Sequence, residues 1–286
     1  MIRRSLLVFA LLVVGYALFI RFLKPADLNT VQHQASGNRI SAEQYVFGPD
    51  EPDATVIVGS SLSFRIALDS LPPHTSNLGF GGLTVYDGLE LVRRSGKHPK
   101  RVVVETNMIF KAPDRGFLDA LFQPGLYELR KALPMLREEN QPSGVLMGYI
   151  KRGMKEGDAS AASQADSMEV SENLFNTNRG IFAQVPPDSV QMRYLNTLEA
   201  EVTALEGTGI EVVFLEVPIS AELMASPLAR RAREAVRERF PRHVFLRNDA
   251  IWRTADGLHL QWHNAQRYSR WLGAELRALD QGASTP

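Results

Sequence analysis

Cysteine is absent from the 286 residues. That absence excludes disulfide staples, thiolate metal sites, a cysteine nucleophile and a lipoprotein anchor, and it leaves the chain indifferent to the redox state of its compartment. Net charge is absent too, with Lys and Arg totalling 32 and Asp and Glu totalling 32. A balanced chain carries no electrostatic signal for nucleic acid, so none is expected as a partner. There is no internal repeat and no cofactor fingerprint. Gly79-Phe80-Gly81-Gly82 lacks the Lys-Ser/Thr that would complete a phosphate loop. No His and carboxylate run has metal-ligand spacing, so neither cofactor nor metal is expected. What remains is a chain long enough for one large domain or two small ones, with a core that needs no covalent help.

Arg3-Arg4 precede an uncharged, apolar stretch from Ser5 to Ile20, and Arg21 and Lys24 close it. The stretch ends in Phe19-Ile20-Arg21-Phe22-Leu23, which offers no small-x-small cleavage site. Counted through Leu23 it approaches the ~20 residues a bilayer-spanning helix needs. Residues 1–24 therefore read as an uncleaved signal anchor with its N-terminus in the cytoplasm and the bulk of the chain outside; a cleaved signal peptide is the alternative. Residues 25–52 are polar, with Gly, Asn, Gln and Pro, and read as a stalk.

From Asp53 to the C-terminus, short β-branched runs alternate with longer helical stretches. Val56–Val58, Arg101–Val104, Ile210–Val217 and His243–Leu246 read as buried strands. Leu83–Arg94, Asp188–Leu205, Ala221–Arg239 and Asn264–Leu279 read as helices. The alternation predicts an α/β fold of three layers, a mostly parallel sheet with helices on both faces. Functional residues gather at the carboxyl ends of such strands, where Ser61 and Asn107 fall. Residues 111–187 break the rhythm. They contain the helix-like pieces Phe117–Leu121 and Leu126–Arg137 and a polar tract, Glu156–Glu172, and read as an insertion covering the site with a flexible middle; a disordered spacer with no role is the alternative.

Four blocks follow one another: Gly59-Ser60-Ser61, Asn77-Leu78-Gly79-Phe80-Gly81-Gly82, Val104-Glu105-Thr106-Asn107 and Asp256-Gly257-Leu258-His259. Singly, each has an ordinary reading. The serines suit a helix N-cap, and the glycines, Asn107 and Asp256-Gly257 suit turns. Together they offer a strand-end hydroxyl, a glycine-rich loop, a strand-end amide, and a carboxylate one turn before an imidazole, which are the parts needed for acyl transfer. His263, one turn beyond His259, is the rival for the base.

This order of blocks resembles the SGNH, or GDSL-like, hydrolase superfamily, from about Thr55 to Leu272. The Gly-Ser-Ser opening is most similar to its membrane-anchored bacterial branch, which includes the alginate O-acetylation and teichoic-acid D-alanylation proteins. The resemblance implies a flavodoxin-like SGNH domain over 53–286 carrying the insertion. It implies Ser61 as nucleophile, His259 as base and Asp256 as its orienter. It implies an oxyanion hole formed by the Ser61 and Gly82 backbone N–H groups and the Asn107 side chain. Departures are Ser60 before the nucleophile, Met108 after the asparagine, and Glu105 where glycine is usual; a charge at 105 facing the hole would oppose oxyanion formation.

The activity so implied is a serine O-acyltransferase or esterase, tethered to the bacterial inner membrane with its domain in the periplasm. It would act on hydroxyls of an exported polysaccharide or cell-envelope polymer, with acetyl the leading acyl group and a membrane O-acyltransferase a candidate donor partner. The alternative is an inactive SGNH-like glycan-binding or scaffold subunit of an envelope complex, motivated by Glu105 and the insertion.

Overall fold

The computed structural model describes residues 2–157 and 171–282. In chain order its elements are α1 (Ile2–Phe22), α2 (Gln34–Phe47), β1 (Thr55–Gly59), β2 (Thr75–Gly79), α3 (Val85–Ser95), β3 (Arg101–Glu105), α4 (Arg115–Leu121), α5 (Leu126–Ala132), α6 (Pro142–Gly157), α7 (Glu172–Phe182), α8 (Asp188–Glu206), β4 (Glu211–Glu216), α9 (Ala221–Met224), α10 (Pro227–Arg239), β5 (Phe245–Arg247) and α11 (Trp262–Asp280). Short 3-10 turns join several of them.

β1, β3 and β4 are β-branched runs buried almost throughout. A run that is apolar on both faces is stable only inside a sheet covered on both sides. The strands pair in parallel in the order β2-β1-β3-β4-β5. Register sets Ile57 level with Val103, and Val103 level with Val213. Alternate residues then feed two cores. Ile57, Val103, Val213 and Leu215 pack with Ala265, Tyr268, Leu272 and Leu276 of α11. The intervening residues meet α3 and the end of α10: a Cβ on Gly88 would lie 2.8 Å from Val58 Cβ, and the rings of Phe214 and Phe240 are 4.7 Å apart. The fold is α/β, a five-stranded parallel sheet flanked by helices, preceded by an apolar N-terminal helix.

Two elements differ from the sequence reading. β2, Thr-Ser-Asn-Leu-Gly, has no alternation to betray it; it is an edge strand, half-buried over its first three residues. The helix expected over Ala221–Arg239 is two. Ser226 caps a new start, its side chain accepting from Ala229 N–H, and Pro227 at the first helical position donates nothing to the preceding turn.

The chain divides into two compact units, Met1–Gly48 with Gly116–Ala161, and Pro49–Arg115 with Ala162–Pro286. The whole sheet belongs to the second. The expected stalk, 25–52, is corrected: it contains α2, which buries Ile40, Ala42, Tyr45 and Val46. Polar composition concealed this helix because half of its buried positions are Ser36, Gly37, Asn38 and Glu43. Glu43 is tolerated there because Arg39 and Arg130 lie 3.3 and 3.6 Å from it. The expected insertion, 111–187, is divided between the two units, and residues 158–170 of its polar tract lie outside the described residues. α1 buries no residue and is long and apolar enough to cross a membrane, a property anchors share with signal sequences.

α11 approaches the 3-10 turn after the first strand so closely that a Cβ on Gly273 would lie 2.0 Å from Ser70 O. Gly273→Ala gains about 1 kcal/mol of helix propensity and loses more to the clash. The expected net loss is about 1–3 kcal/mol, read as a lower urea midpoint at unchanged slope.

Candidate active site

β1 ends at Gly59, and the chain turns back through Ser60 to Arg65. What holds this turn is Glu105, the last residue of the neighbouring β3, whose side chain is buried beneath it. Glu105 Oε2 accepts from Ser60 N–H at 2.8 Å, Ser63 N–H at 3.3 Å and Ser63 O–H at 2.9 Å, while Oε1 accepts from Ser60 O–H at 2.7 Å. Burial pushes the Glu105 carboxyl above the usual range, and the four hydrogen bonds oppose that rise without cancelling it. Both oxygens are thus committed to Ser60 and Ser63, which answers the concern that this charge faces an oxyanion.

The approach is possible only because two strand-end residues lack side chains. A Cβ on Gly59 would lie 2.5 Å from Glu105 Oε2, and one on Gly79 would lie 2.6 Å from Ser63 Oγ. From the other side Asn77 Nδ2 donates to Ser63 O at 2.9 Å and to Ile66 O at 3.2 Å. Ser61, between two anchored residues, keeps its hydroxyl for another partner.

That partner comes from 198 residues further on. Thr254 and Leu260 form an antiparallel bridge, closed by Ala255 N–H to His259 O at 2.8 Å. At its tip Gly257 takes φ +88°, a left-handed conformation that glycine adopts without strain. Asp256 Oδ1 accepts from the N–H groups of Leu258 and His259 at 3.1 and 2.8 Å, so the carboxylate organises its own turn. α7 braces the outside: Asn178 Nδ2 donates to Asp256 O at 2.9 Å, and a Cβ on Gly257 would lie 2.5 Å from the Phe175 ring. Ser220 N–H donates to Gly257 O at 2.8 Å. Arg65, at the end of the Ser61 turn, donates to Leu260 O and joins the two turns directly. Asn77 was read only as the start of a glycine-rich block, and Asn178, Phe175 and Arg65 were not singled out from sequence; each acts through a contact made only in the folded chain.

The result is a relay. His259 Nδ1 lies 2.7 Å from Asp256 Oδ2, and His259 Nε2 lies 2.9 Å from Ser61 Oγ. Burial raises the Asp256 carboxyl, but hydrogen bonds from the His259 ring and from the His259 and Leu258 backbone outweigh it and lower the pKa to about 2. A charged carboxylate only accepts, so the proton sits on Nδ1 and the Nε2 lone pair is left for the Ser61 hydroxyl. His263, the rival base, is exposed at the start of α11 and has no partner among the described residues.

The expected oxyanion donors are less uniform. The backbone N–H groups of Ser61 and Gly82 meet no acceptor among the described residues, and Gly82 holds φ +78°. Asn107 is already engaged, its Oδ1 accepting from Val217 N–H and its Nδ2 donating to Val217 O, both at 2.8 Å. An amide nitrogen carries two hydrogens, so one remains. A cavity of about 840 Å³ opens beside Asn107, lined by Met108, Phe110, Lys111, Ile181, Val185 and Leu228 among others. Lys111 reaches from it to Gly82 O at 2.5 Å, tying the second block to the third.

Glu51, Asp53 and His74 bring ligand atoms within 4.8 Å of one another. They precede the N-terminal ends of β1 and β2, the edge of the sheet opposite Ser61. Their separation in sequence is what kept them from being read as a group.

Two outcomes follow from the buried and titrating groups. Glu105→Ala strands the donors of Ser60 and Ser63 and is expected to cost more than about 3 kcal/mol in urea unfolding, whereas Glu105→Gln keeps an acceptor for the backbone N–H groups and costs about 1–2 kcal/mol. For Asp256 the folded pKa lies below the ~3.9 of an unfolded aspartate, so its stabilisation is complete above that value. The stability gap between the wild type and Asp256→Asn is therefore expected to be constant above about pH 4 and to shrink as pH falls towards about 2, followed by near-UV circular dichroism on thermal unfolding.

Compared with known proteins, the chain matches no family model, and no curated protein is significantly similar to it.

Proposed function

We propose that the chain is an SGNH-type serine acyltransferase or esterase, tethered to the bacterial inner membrane and acting from the periplasm on hydroxyl groups of an exported polysaccharide or envelope polymer. The observation that carries the reading is the unbroken series Ser61–His259–Asp256 at 2.9 and 2.7 Å. A base within hydrogen-bond reach of the hydroxyl, itself oriented by a third group, is an arrangement that makes a serine nucleophilic at neutral pH.

The steps follow from the atoms. Ser61 Oγ attacks the donor's acyl carbon as its proton passes to His259 Nε2, and Asp256 stabilises the imidazolium. The developing oxyanion accepts from the N–H groups of Ser61 and Gly82 and from the remaining amide hydrogen of Asn107, each worth about 3 kcal/mol. Collapse expels the donor's oxygen leaving group, which takes the proton from His259, and leaves an ester on Ser61. A sugar hydroxyl or water then gives its proton to His259 and attacks that ester, and Ser61 departs with the proton returned. The cavity beside Asn107 is sized for an acyl group with part of its carrier. The apolar α1 supports tethering, which raises the local concentration of enzyme at an export site. A membrane O-acyltransferase remains the candidate donor partner.

The test is labelling of the full-length chain, in detergent, with a fluorophosphonate. Ser61→Ala is expected to abolish labelling, His259→Ala to slow it on the order of 10⁴-fold or more, and Asp256→Asn to slow it somewhat less. His263→Ala should match the wild type. Labelling of His259→Ala at the wild-type rate would end the catalytic reading and leave that of a binding or scaffold subunit.

A further inference from the structure

We propose that α5 and α6 rest in the interface of the bilayer that α1 crosses, their exposed apolar faces in contact with its lipids. The inference rests on α1 being a membrane span and not on the chemistry at Ser61.

α1 has 21 residues, a rod of about 32 Å, and a bilayer's hydrocarbon core is about 30 Å thick. Hardly any of this helix is left over to stand clear of the membrane. Tyr16 lies six residues before the end of α1, or about 9 Å down the rod. Whatever touches Tyr16 is therefore at the depth of the headgroups or below. The residue that touches it is Asn140, whose backbone oxygen accepts from Tyr16 O–H at 2.6 Å. Lys24 Nζ, just beyond the helix, donates to Asn140 Oδ1 at 2.6 Å and to Glu139 O at 3.0 Å. Asn140 is buried, so this is a packed joint and not a grazing contact. One turn into α6 and beyond, the ring of Tyr149 lies 6.4 Å from that of Phe19. The last turns of α1 thus hold the segment that launches α6 at membrane depth.

Surfaces at that depth should be apolar, and these are. α6 presents Leu146, Ile150 and Met154 at i, i+4 and i+8, with 62%, 45% and 69% of their surface exposed. α5 and the residue that ends it present Leu126, Leu129 and Leu133 at i, i+3 and i+7, each more than two-fifths exposed. Single exposed leucines are ordinary, but two helical stripes in the same compact unit as a candidate membrane span are not. Basic residues adjoin the stripes in sequence, Lys131 on α5 and Lys151 and Arg152 on α6. An apolar face edged by Lys and Arg is the pattern of a helix lying in the plane of a membrane with anionic lipids.

The chain has no cysteine, so single cysteines can be placed in the full-length protein and labelled with NBD. The labelled chain is reconstituted into phosphatidylethanolamine–phosphatidylglycerol vesicles, with or without brominated acyl chains. Leu129→Cys, Ile150→Cys and Met154→Cys are expected to be quenched by brominated lipid to within about twofold of Leu12→Cys in α1. Ala200→Cys, exposed on α8, should not be quenched. Quenching at Leu12→Cys but at none of the α5 and α6 positions would overturn the proposal. If those unquenched dyes were also hidden from aqueous iodide, a second copy of the chain would be covering the faces; if shielding appeared only in native membranes, another protein would be. Either result overturns it as well. Absence of quenching at Leu12→Cys would remove the membrane reading itself, and fluorophosphonate labelling of Ser61 would be unaffected by any of these outcomes.

Discussion

A carboxylate buried under a turn is the constraint from which the rest of the site follows. A strand end has backbone groups to satisfy and, in water, would satisfy them many ways. Here Glu105 offers two oxygens to four donors on Ser60 and Ser63, so only one path of the chain meets all four. The glycines at 59 and 79 are consequences of that choice, because any side chain there would occupy the space the carboxylate and Ser63 need. Ser61 is fixed by its neighbours and not by its own bonds. Its N–H meets no acceptor among the described residues, and its hydroxyl pairs with His259. Glu105, which in sequence stood out as a charge near the candidate site, holds the turn that carries Ser61, with its hydrogen bonds directed to Ser60 and Ser63.

The second half of the site is built on a different principle. The Thr254–Leu260 turn has no sheet behind it and owes its shape to Asp256, which accepts two backbone N–H bonds from its own turn and a third from the imidazole. The same bonds that shape the turn hold the carboxylate charged, so its folding and its electrostatics are one effect. Its position, in contrast, is borrowed: Asn178, Ser220 and Arg65 each pin one backbone carbonyl of it. Removing any of these leaves the hydrogen bond inside the Asp256–His259 pair intact while loosening its aim at Ser61.

These two principles explain what could be read in advance. β1, β3 and β4 were legible because burial on both faces demands unbroken β-branched runs; Ser61, Asp256 and His259 stood out by the order of their blocks, and the fold brings them within hydrogen-bond reach. β2 was illegible, since an edge strand ending in a glycine loop need bury only Leu78 and Gly79. The role of Glu105 was illegible because a carboxylate at a strand end looks the same whether it faces solvent, substrate or a neighbouring turn. Asn107 was read as a free donor; its pairing with Val217 depends on the β3–β4 register, which no local pattern states. α2 was missed for a related reason: Ser36, Asn38 and Glu43 are polar residues that the fold buries with partners.

The first unit is discontinuous in sequence, and that bears on how α1 is used. The chain leaves the unit at Gly48 and returns at Gly116, so β1, β2 and β3 are all made before its second segment appears. Closing a loop of that length carries an entropic cost that contacts within the unit must offset. Several of those contacts belong to α1 or its immediate exit: Tyr16 and Lys24 with Asn140, and Phe19 with Tyr149. Without them Asn140, a buried residue, would be short of two hydrogen-bond partners. The last turns of α1 and its exit are thus part of the packing of the first unit, with residues from both of its segments.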